Sequence, residues 1–173
     1  VNLSPRQFAD PALTEHIAKA LSDNRLDAAW LEIEVPEASL VQDIVHTRRQ
    51  FAALSALGVR VVVDHFGASA FDLLLLCQPP LVRLKFDRAR LQHLLADGRA
   101  VPALAAFLCA LGLPLTAKGV EHLDELPMLA RLGLRHVQGI AVGEPLSAGA
   151  MTARLTASND AHAKMTAISP PAS

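Results

Sequence analysis

The sequence has little excess charge of either sign, few cysteines and no apolar run long enough to cross a membrane. Its 173 residues include 16 Lys and Arg against 17 Asp and Glu, which gives a net charge of −1. This balance argues against a broad basic face for DNA and against a polybasic membrane anchor. The two cysteines, Cys77 and Cys109, lie in apolar surroundings without C-x-x-C spacing. They are predicted to be buried, reduced thiols and not metal ligands.

The longest apolar stretch, residues 100–115, is interrupted by Pro102, Gly112 and Pro114. It falls short of the roughly 20 residues that span a bilayer, and it predicts a buried helix followed by a buried strand. The sequence shows no signal peptide, so we expect a cytoplasmic protein with no membrane span. Because the chain opens at Val1 within an apolar segment, it is expected to be part of a longer polypeptide.

Short apolar runs alternate with longer helical stretches along the chain. The runs lack strict alternation, as expected of strands buried on both faces of a parallel sheet, and comprise Trp30–Val35, Val59–Val63, Leu81–Phe86, Leu113–Ala117 and Arg135–Gln138, with Val1–Leu3 as the tail of another. Helices are predicted over Pro11–Asp23, Ser39–Leu57, Ser69–Cys77, Arg88–Leu111 and Leu123–Leu132. This order predicts repeated β/α units in a parallel sheet or barrel.

Three further features complete this interpretation. A glycine between helix and strand recurs at Gly58, Gly112 and Gly133, where a left-handed residue can end the helix. Trp30, at the start of a predicted strand, is expected to pack in the core. Residues 156–173 are polar, small and proline-containing, and they are predicted to form a disordered C-terminal tail.

Polar side chains end six consecutive predicted strands: Asn2, Glu34, Asp64, Lys85 with Asp87, Lys118 and Gln138. In a parallel barrel the C-terminal ends of the strands share one rim, and that rim carries function. Helix N-termini favour some of these residue types anyway, but this preference explains one or two positions better than six. The sequence therefore predicts a functional rim.

Six segments carry these residues in a fixed order: Val1-Asn2-Leu3-Ser4, Leu31-Glu32-Ile33-Glu34-Val35-Pro36-Glu37, Asp64-His65-Phe66-Gly67, Lys85-Phe86-Asp87-Arg88, Ala117-Lys118-Gly119-Val120-Glu121, and Gln138-Gly139 with Pro145. They resemble the motifs of the EAL domain, the bacterial module that hydrolyses cyclic di-GMP. The family patterns are Asn-Leu-Ser, Glu-Ile-Thr-Glu, Asp-Asp-Phe-Gly, Lys-Ile-Asp-Arg, Ala-Glu-Gly-Val-Glu and Gln-Gly-Tyr…Pro. The tripeptide that names the family would precede Val1.

The resemblance implies an α/β fold, a TIM-like (β/α) barrel of the EAL type. A complete eight-fold barrel takes about 250 residues, so we expect an incomplete barrel with about six of eight β/α units. The domain would cover residues 1–155 and lack its N-terminal strands.

The resemblance also implies a chemistry, in which two divalent cations, Mg²⁺ or Mn²⁺, assist attack of water on a phosphodiester. It makes Asn2, Glu34 and Asp64 metal ligands, and it gives catalytic roles to Lys85 and Gln138. Glu37 would anchor the loop after Asp64. The rim that binds cyclic di-GMP would comprise Asn2, Glu34, Asp64, Lys85, Lys118, Glu121, Gln138 and Pro145.

Departures from the family pattern fall on the metal ligands. His65 stands where the family has a second aspartate, and imidazole is a poor ligand for Mg²⁺. Lys118 stands where the family has a glutamate. Two like unit charges 4 Å apart repel by about 4 kcal/mol at an effective dielectric near 20, and a divalent cation doubles this figure. The loop after Gly67 and the closing motif, with Ile140 and Glu144, also differ, so two-metal catalysis is expected to be lost.

Three functional hypotheses follow from these residues. The first is a degenerate, catalytically inactive EAL domain without a bound cofactor, acting as a cyclic di-GMP receptor or a protein-interaction module beside a diguanylate-cyclase-like or sensor domain. The second is a phosphodiesterase with residual activity that uses Mg²⁺ or Mn²⁺, in which His65 accepts Mn²⁺. The third is a Schiff-base aldolase using Lys85 or Lys118, which leaves the six ordered motifs unexplained.

Overall fold

The computed structural model describes residues 1–67, 73–87, 100–134 and 136–157. The chain divides into two compact units, Val1–Val142 and Gly143–Ser173. In the second unit, residues 148–157 are helical. The predicted starts of two helices, at Ser69 and Arg88, the predicted start of a strand at Arg135, and residues 158–173 of the predicted tail lie outside the described residues.

The first unit is built on one parallel sheet whose strands follow chain order. The strands are β1 (Glu32–Pro36), β2 (Arg60–Asp64), β3 (Leu81–Asp87), β4 (Leu115–Lys118) and β5 (His136–Gln138). Asn2 adds an isolated parallel bridge to Glu34 beside β1. The predicted parallel α/β architecture is therefore confirmed, with the first apolar segment reduced to this bridge.

Helices connect the strands and cover one face of the sheet. They are α1 (Pro5–Phe8), α2 (Leu13–Asn24), α3 (Glu37–Gln42), α4 (Ile44–Leu57), α5 (Leu73–Leu76), α6 (Ala100–Ala110) and α7 (Leu126–Arg131), with 3₁₀ turns at Ala28–Trp30 and Leu123–Glu125. None of the helices in the described ranges is long and apolar enough to cross a membrane.

The helix predicted over Ser39–Leu57 is in fact two helices that meet at Asp43. The Asp43 backbone is extended, and its carboxylate accepts a hydrogen bond of 2.9 Å from the His46 N–H at the start of α4. Asp is a strong N-cap residue because it satisfies an otherwise unpaired N–H in the first turn. The apolar periodicity on both sides concealed this break.

The glycine turns form as predicted. Gly58 ends α4 with a φ of 83°, and its N–H donates to the Ser55 carbonyl at 3.0 Å. Gly112 and Gly133 also have positive φ, at 73° and 83°. Each turn returns the chain to the sheet, so successive strands run parallel.

The core lies between the sheet and the helices. Alternate side chains of the strands are completely or almost completely buried there, among them Ile33, Val35, Val61, Val63, Leu84, Phe86 and Ala117. They pack with helix residues such as Leu40, Phe51, Leu54, Leu108 and Leu129. The other strand residues, including most of the predicted rim, lie on the opposite face, where Val62, Lys85 and Thr116 are also buried.

Two predictions about burial were wrong. Trp30 is 83% exposed, because it belongs to the 3₁₀ turn before β1 and not to the strand. Cys77 and Cys109 are both exposed, since each lies near the end of a helix and not on its packed face. Apolar neighbours in sequence do not by themselves place a residue inside.

Candidate functional site

The strand ends bring most of the predicted rim residues together. In register, Asp87 of β3 pairs with Lys118 of β4, and Lys118 pairs with Gln138 of β5. Asp64 is the last residue of β2 and pairs with Pro36 of β1. The C-terminal ends of four neighbouring strands thus supply a carboxylate, an ammonium or an amide to one edge of the sheet.

The Lys85 ammonium is a buried charge of this edge with two partners. Its side chain is 8% exposed, and Nζ donates to Glu34 Oε1 at 2.6 Å and to Gln138 Oε1 at 2.9 Å. The ammonium therefore links β1, β3 and β5 across the sheet face. Burying a charge is costly unless it is paired and hydrogen-bonded, and both conditions are met here.

A second ion pair joins Asp64 to Lys118. Lys118 Nζ donates to Asp64 Oδ2 at 2.7 Å, and the Asp64 side chain is 7% exposed against 30% for Lys118. The other carboxylate oxygen, Oδ1, accepts the His65 backbone N–H at 3.0 Å. Both oxygens of the central carboxylate are therefore engaged by groups of the chain itself.

His65 occupies an unusual backbone conformation beside this pair. Its φ is 56°, in the left-handed region that non-glycine residues seldom adopt. The imidazole Nδ1 lies 2.6 Å from Asp87 Oδ2, and Nε2 lies 3.4 Å from Asp64 Oδ2. Donor atoms of Asp64, His65 and Asp87 all lie within 4.8 Å of one another, so this group is the candidate for a metal among the described residues.

Two backbone contacts hold the edge in place. Glu37 is fully buried, and its Oε1 accepts the Gly67 N–H at 3.1 Å, on the segment after Asp64. At Gly139 a side chain would clash with the backbone of Val120. This close approach lets the Val120 N–H donate to the Gln138 carbonyl at 3.1 Å and keeps Gln138 beside β4.

Three predicted rim residues lie outside the ion-pair network that these contacts describe. Asn2 is exposed and meets Glu34 through the backbone, where the Leu3 N–H donates to the Glu34 carbonyl at 2.9 Å. Glu121 is exposed on the turn after β4, and its N–H donates to Glu125 Oε1 at 3.3 Å. Pro145 belongs to the second unit, and its role stays a prediction.

The sequence analysis assigned no role to Asp87 or to the ion pairs that Glu32 forms with Arg60 and Arg83. Asp87 follows Lys85 by two residues, so the strand period of two placed it on the same face. Glu32 Oε1 lies 3.2 Å from Arg60 and 3.4 Å from Arg83. The sequence also indicated the position of Glu32, because Glu32 precedes Glu34 by two residues and therefore lies on the same face of β1.

The Asp64–Lys118 pair predicts how stability depends on pH. Burial raises the pKa of Asp64, but the hydrogen bond and charge of Lys118, with smaller contributions from His65, outweigh it and lower that pKa. Asp64 therefore contributes stability that is complete above its unfolded-state pKa near 4 and is lost as the pH falls through its folded-state pKa. We expect Asp64→Asn to be less stable than the wild type at pH 7. Between about pH 4 and 2.5 the variant should lose less stability than the wild type, because it has no carboxylate to protonate at position 64.

Urea unfolding at several pH values measures this difference. The control is Asp23→Asn, which removes the carboxylate of the exposed Lys19–Asp23 pair on α2, also at 2.6 Å. An exposed pair contributes at most about 1 kcal/mol, so the control should follow the wild-type pH profile. An Asp64→Asn profile parallel to wild type below pH 4 would contradict the prediction.

One family model and several curated proteins match this chain. The family model described as the EAL domain matches residues 1–145. The chain is 35% identical over 151 residues to the bifunctional diguanylate cyclase/cyclic di-GMP phosphodiesterase MucR of Pseudomonas aeruginosa, covering 86% of this chain and 22% of that protein. It spans about a fifth of the length of several curated relatives that it matches.

Solved structures show the same fold. The PaMucR phosphodiesterase in complex with c-di-GMP superposes with a TM-score of 0.78 at 34% identity, covering 87% of this chain and 68% of that chain. A manganese and cy-diGMP complex of Klebsiella pneumoniae BlrP1 gives a TM-score of 0.67 at 26% identity, covering 82% and 37%. The family match over residues 1–145, the parallel sheet in chain order and the polar strand ends together show that this chain belongs to the EAL domain family.

Proposed function

We propose that this chain is a degenerate EAL domain that does not hydrolyse cyclic di-GMP and acts instead as a receptor for it or as a protein-interaction module. The observation that carries the proposal is the 2.7 Å ion pair between Lys118 Nζ and Asp64 Oδ2. It puts an ammonium on the carboxylate that the family pattern assigns to a metal. A protein cation and a divalent ion compete for the same oxygen.

The donor set does not fit a two-metal centre. Relative to the family pattern, His65 removes one negative charge, and Lys118 exchanges a negative for a positive charge. Glu34 is bound by Lys85, Asp64 by Lys118, and Asp87 contacts His65. Mg²⁺ prefers oxygen ligands in near-octahedral geometry, and each of these carboxylates already has a partner within the chain.

The same edge has features that suit a phosphodiester ligand. Lys118 is 30% exposed and an ammonium has three donors, so it can donate to a phosphate oxygen while keeping Asp64. Lys85 already has two acceptors and is 8% exposed, which makes it the less available of the two. The c-di-GMP complex of the PaMucR phosphodiesterase supplies the class of ligand.

Calorimetric titration with cyclic di-GMP in EDTA tests the receptor form of the proposal. We expect binding without divalent metal, weakened about tenfold or more in Lys118→Met, because a hydrogen bond to a charged group contributes about 1.5–3 kcal/mol. Lys19→Met, at the exposed pair on α2, should bind as wild type does. Absence of heat at high ligand concentration would remove the receptor form and leave the interaction module.

Chromatographic detection of the linear dinucleotide tests the loss of hydrolysis. With Mg²⁺ or Mn²⁺ we expect product at the level of the blank. One observation favours the alternative of residual activity: the donor atoms of Asp64, His65 and Asp87 lie within 4.8 Å, and imidazole suits Mn²⁺ better than Mg²⁺. Turnover above the blank that disappears in Asp64→Ala would establish that alternative.

The chain is further proposed to work beside other domains. It spans 22% of MucR, whose name includes a diguanylate cyclase activity. A neighbouring diguanylate-cyclase-like or sensor domain would then supply the signal, and the ion-paired edge would respond to the ligand. Proteolysis of the longer polypeptide with and without cyclic di-GMP would reveal such coupling as a change in the cleavage pattern between domains.

A further inference from the structure

The pairing of Asp64 with Lys118 crosses an intervening strand. Asp64 ends β2 and Lys118 ends β4, while β3 lies between them in the sheet. Neighbouring strands are about 4.8 Å apart, so the two backbones are separated by roughly 10 Å. The four-carbon stem of lysine covers this gap and brings Nζ to 2.7 Å from Asp64 Oδ2.

A glutamate at position 118 would not close the same gap favourably. The glutamate side chain is shorter than lysine by one bond and carries the same charge as Asp64, so the two groups would need a cation between them. Lysine replaces both the carboxylate and the cation with a single side chain. The pair is also shielded, because the Asp64 side chain is 7% exposed.

Neighbouring contacts reinforce this replacement. Asp64 Oδ1 accepts the His65 N–H at 3.0 Å, and His65 Nε2 lies 3.4 Å from Oδ2. Asp87, the register partner of Lys118, contacts His65 Nδ1 at 2.6 Å. The donor groups closest to Asp64 are thus two nitrogens of His65 and one of Lys118, each of which bears or can bear a proton.

We propose that Lys118 is a built-in cation of this edge, which holds β2 and β4 together without a divalent ion and prevents such an ion from binding at Asp64. The ion-paired edge then forms in solution without any divalent metal. The part of this inference that concerns ligand binding without metal rests on the proposed function, but the part that concerns metal exclusion stands on the ion pair alone.

Charge reversal at Lys118 tests the proposal with Mn²⁺ as the probe. In EDTA, Lys118→Glu should lower the melting temperature of the full chain by about 5–10 °C, because two carboxylates then face each other. Millimolar Mn²⁺ should recover most of this loss, since an ion that binds only the folded state stabilises it. The wild type should show a shift below about 1 °C on the same addition.

Two further variants make the comparison specific. Lys118→Met has an unbranched side chain without charge, and it keeps the test available if Lys118→Glu does not fold. Its Mn²⁺ affinity should exceed that of the wild type by at least about tenfold. Electron paramagnetic resonance of free Mn²⁺ measures this affinity. Lys19→Glu makes the same charge change at the exposed Lys19–Asp23 pair and should gain no binding.

Each outcome decides the inference. Gain of Mn²⁺ binding in the Lys118 variants alone supports it. Mn²⁺ or Zn²⁺ binding by wild type as tight as by Lys118→Met would overturn it, and so would equally weak binding by all variants. These readouts contain no nucleotide, so failure of the proposed function in calorimetry or hydrolysis would leave the metal result standing, and the reverse also holds.

Discussion

Replacement of Glu34 by alanine is expected to destabilise the chain by about 3–5 kcal/mol, because it leaves a buried ammonium without its counter-charge. Lys85 Nζ is bound to Glu34 Oε1 at 2.6 Å, and the two side chains are only 8% and 21% exposed. After the substitution Lys85 would keep one neutral acceptor, Gln138 Oε1 at 2.9 Å. An uncompensated charge at this depth costs more than the pair contributed.

Urea unfolding at pH 7 measures this effect. The matched control is Asp23→Ala, which breaks a pair of the same 2.6 Å length whose side chains are 72% and 58% exposed. It should cost less than about 1 kcal/mol. The double variant Glu34→Leu/Lys85→Met, which removes both charges, should recover much of the stability that Glu34→Ala loses. If Glu34→Ala costs no more than Asp23→Ala, the buried pair does not hold the edge.

Phe86→Ala is expected to lower the free energy of unfolding by about 3–5 kcal/mol, because it removes packing in the core. Phe86 is 1% exposed, and its ring centroid lies 5.6 Å from that of Phe66. It stands on β3 between Lys85 and Asp87, on the opposite face of the strand. Loss of the ring would leave a cavity behind the residues that carry both charges.

Phe107 provides the control for Phe86. It lies on α6 and is 44% exposed, so Phe107→Ala should cost less than about half as much as Phe86→Ala. Denaturant unfolding followed by circular dichroism compares the two variants directly. Equal losses would show that the core behind β3 does not determine the stability of the sheet.

Strand-end positions could be predicted from the sequence because apolar runs mark the strands and glycine turns mark the boundaries between helices and strands. Apolar runs followed by a polar residue identified Asp64 and Lys118 as strand ends, and the shared C-terminal rim of parallel strands grouped them with Lys85. The parallel order followed from the recurring glycine turns. Those features depend on local sequence, and the structure confirms them.

The pairing of the charges could not be predicted in the same way. Which carboxylate Lys118 would reach depends on the register of three strands, including an irregularity between Val61 and Val62 of β2. Similarly, the exposure of Trp30 depends on a 3₁₀ turn that shifts the start of β1 to Glu32. Register and turn geometry are set by packing across the whole sheet, and no local pattern reports them.

Diffraction from crystals of the full chain soaked in Mn²⁺, collected at the manganese absorption edge, tests the central claim most directly. We predict no anomalous peak within coordination distance of Asp64, with Lys118 Nζ in hydrogen-bond contact with Oδ2, which lies at 2.7 Å from it here. A manganese peak bound to Asp64 with the Lys118 side chain displaced would contradict the account.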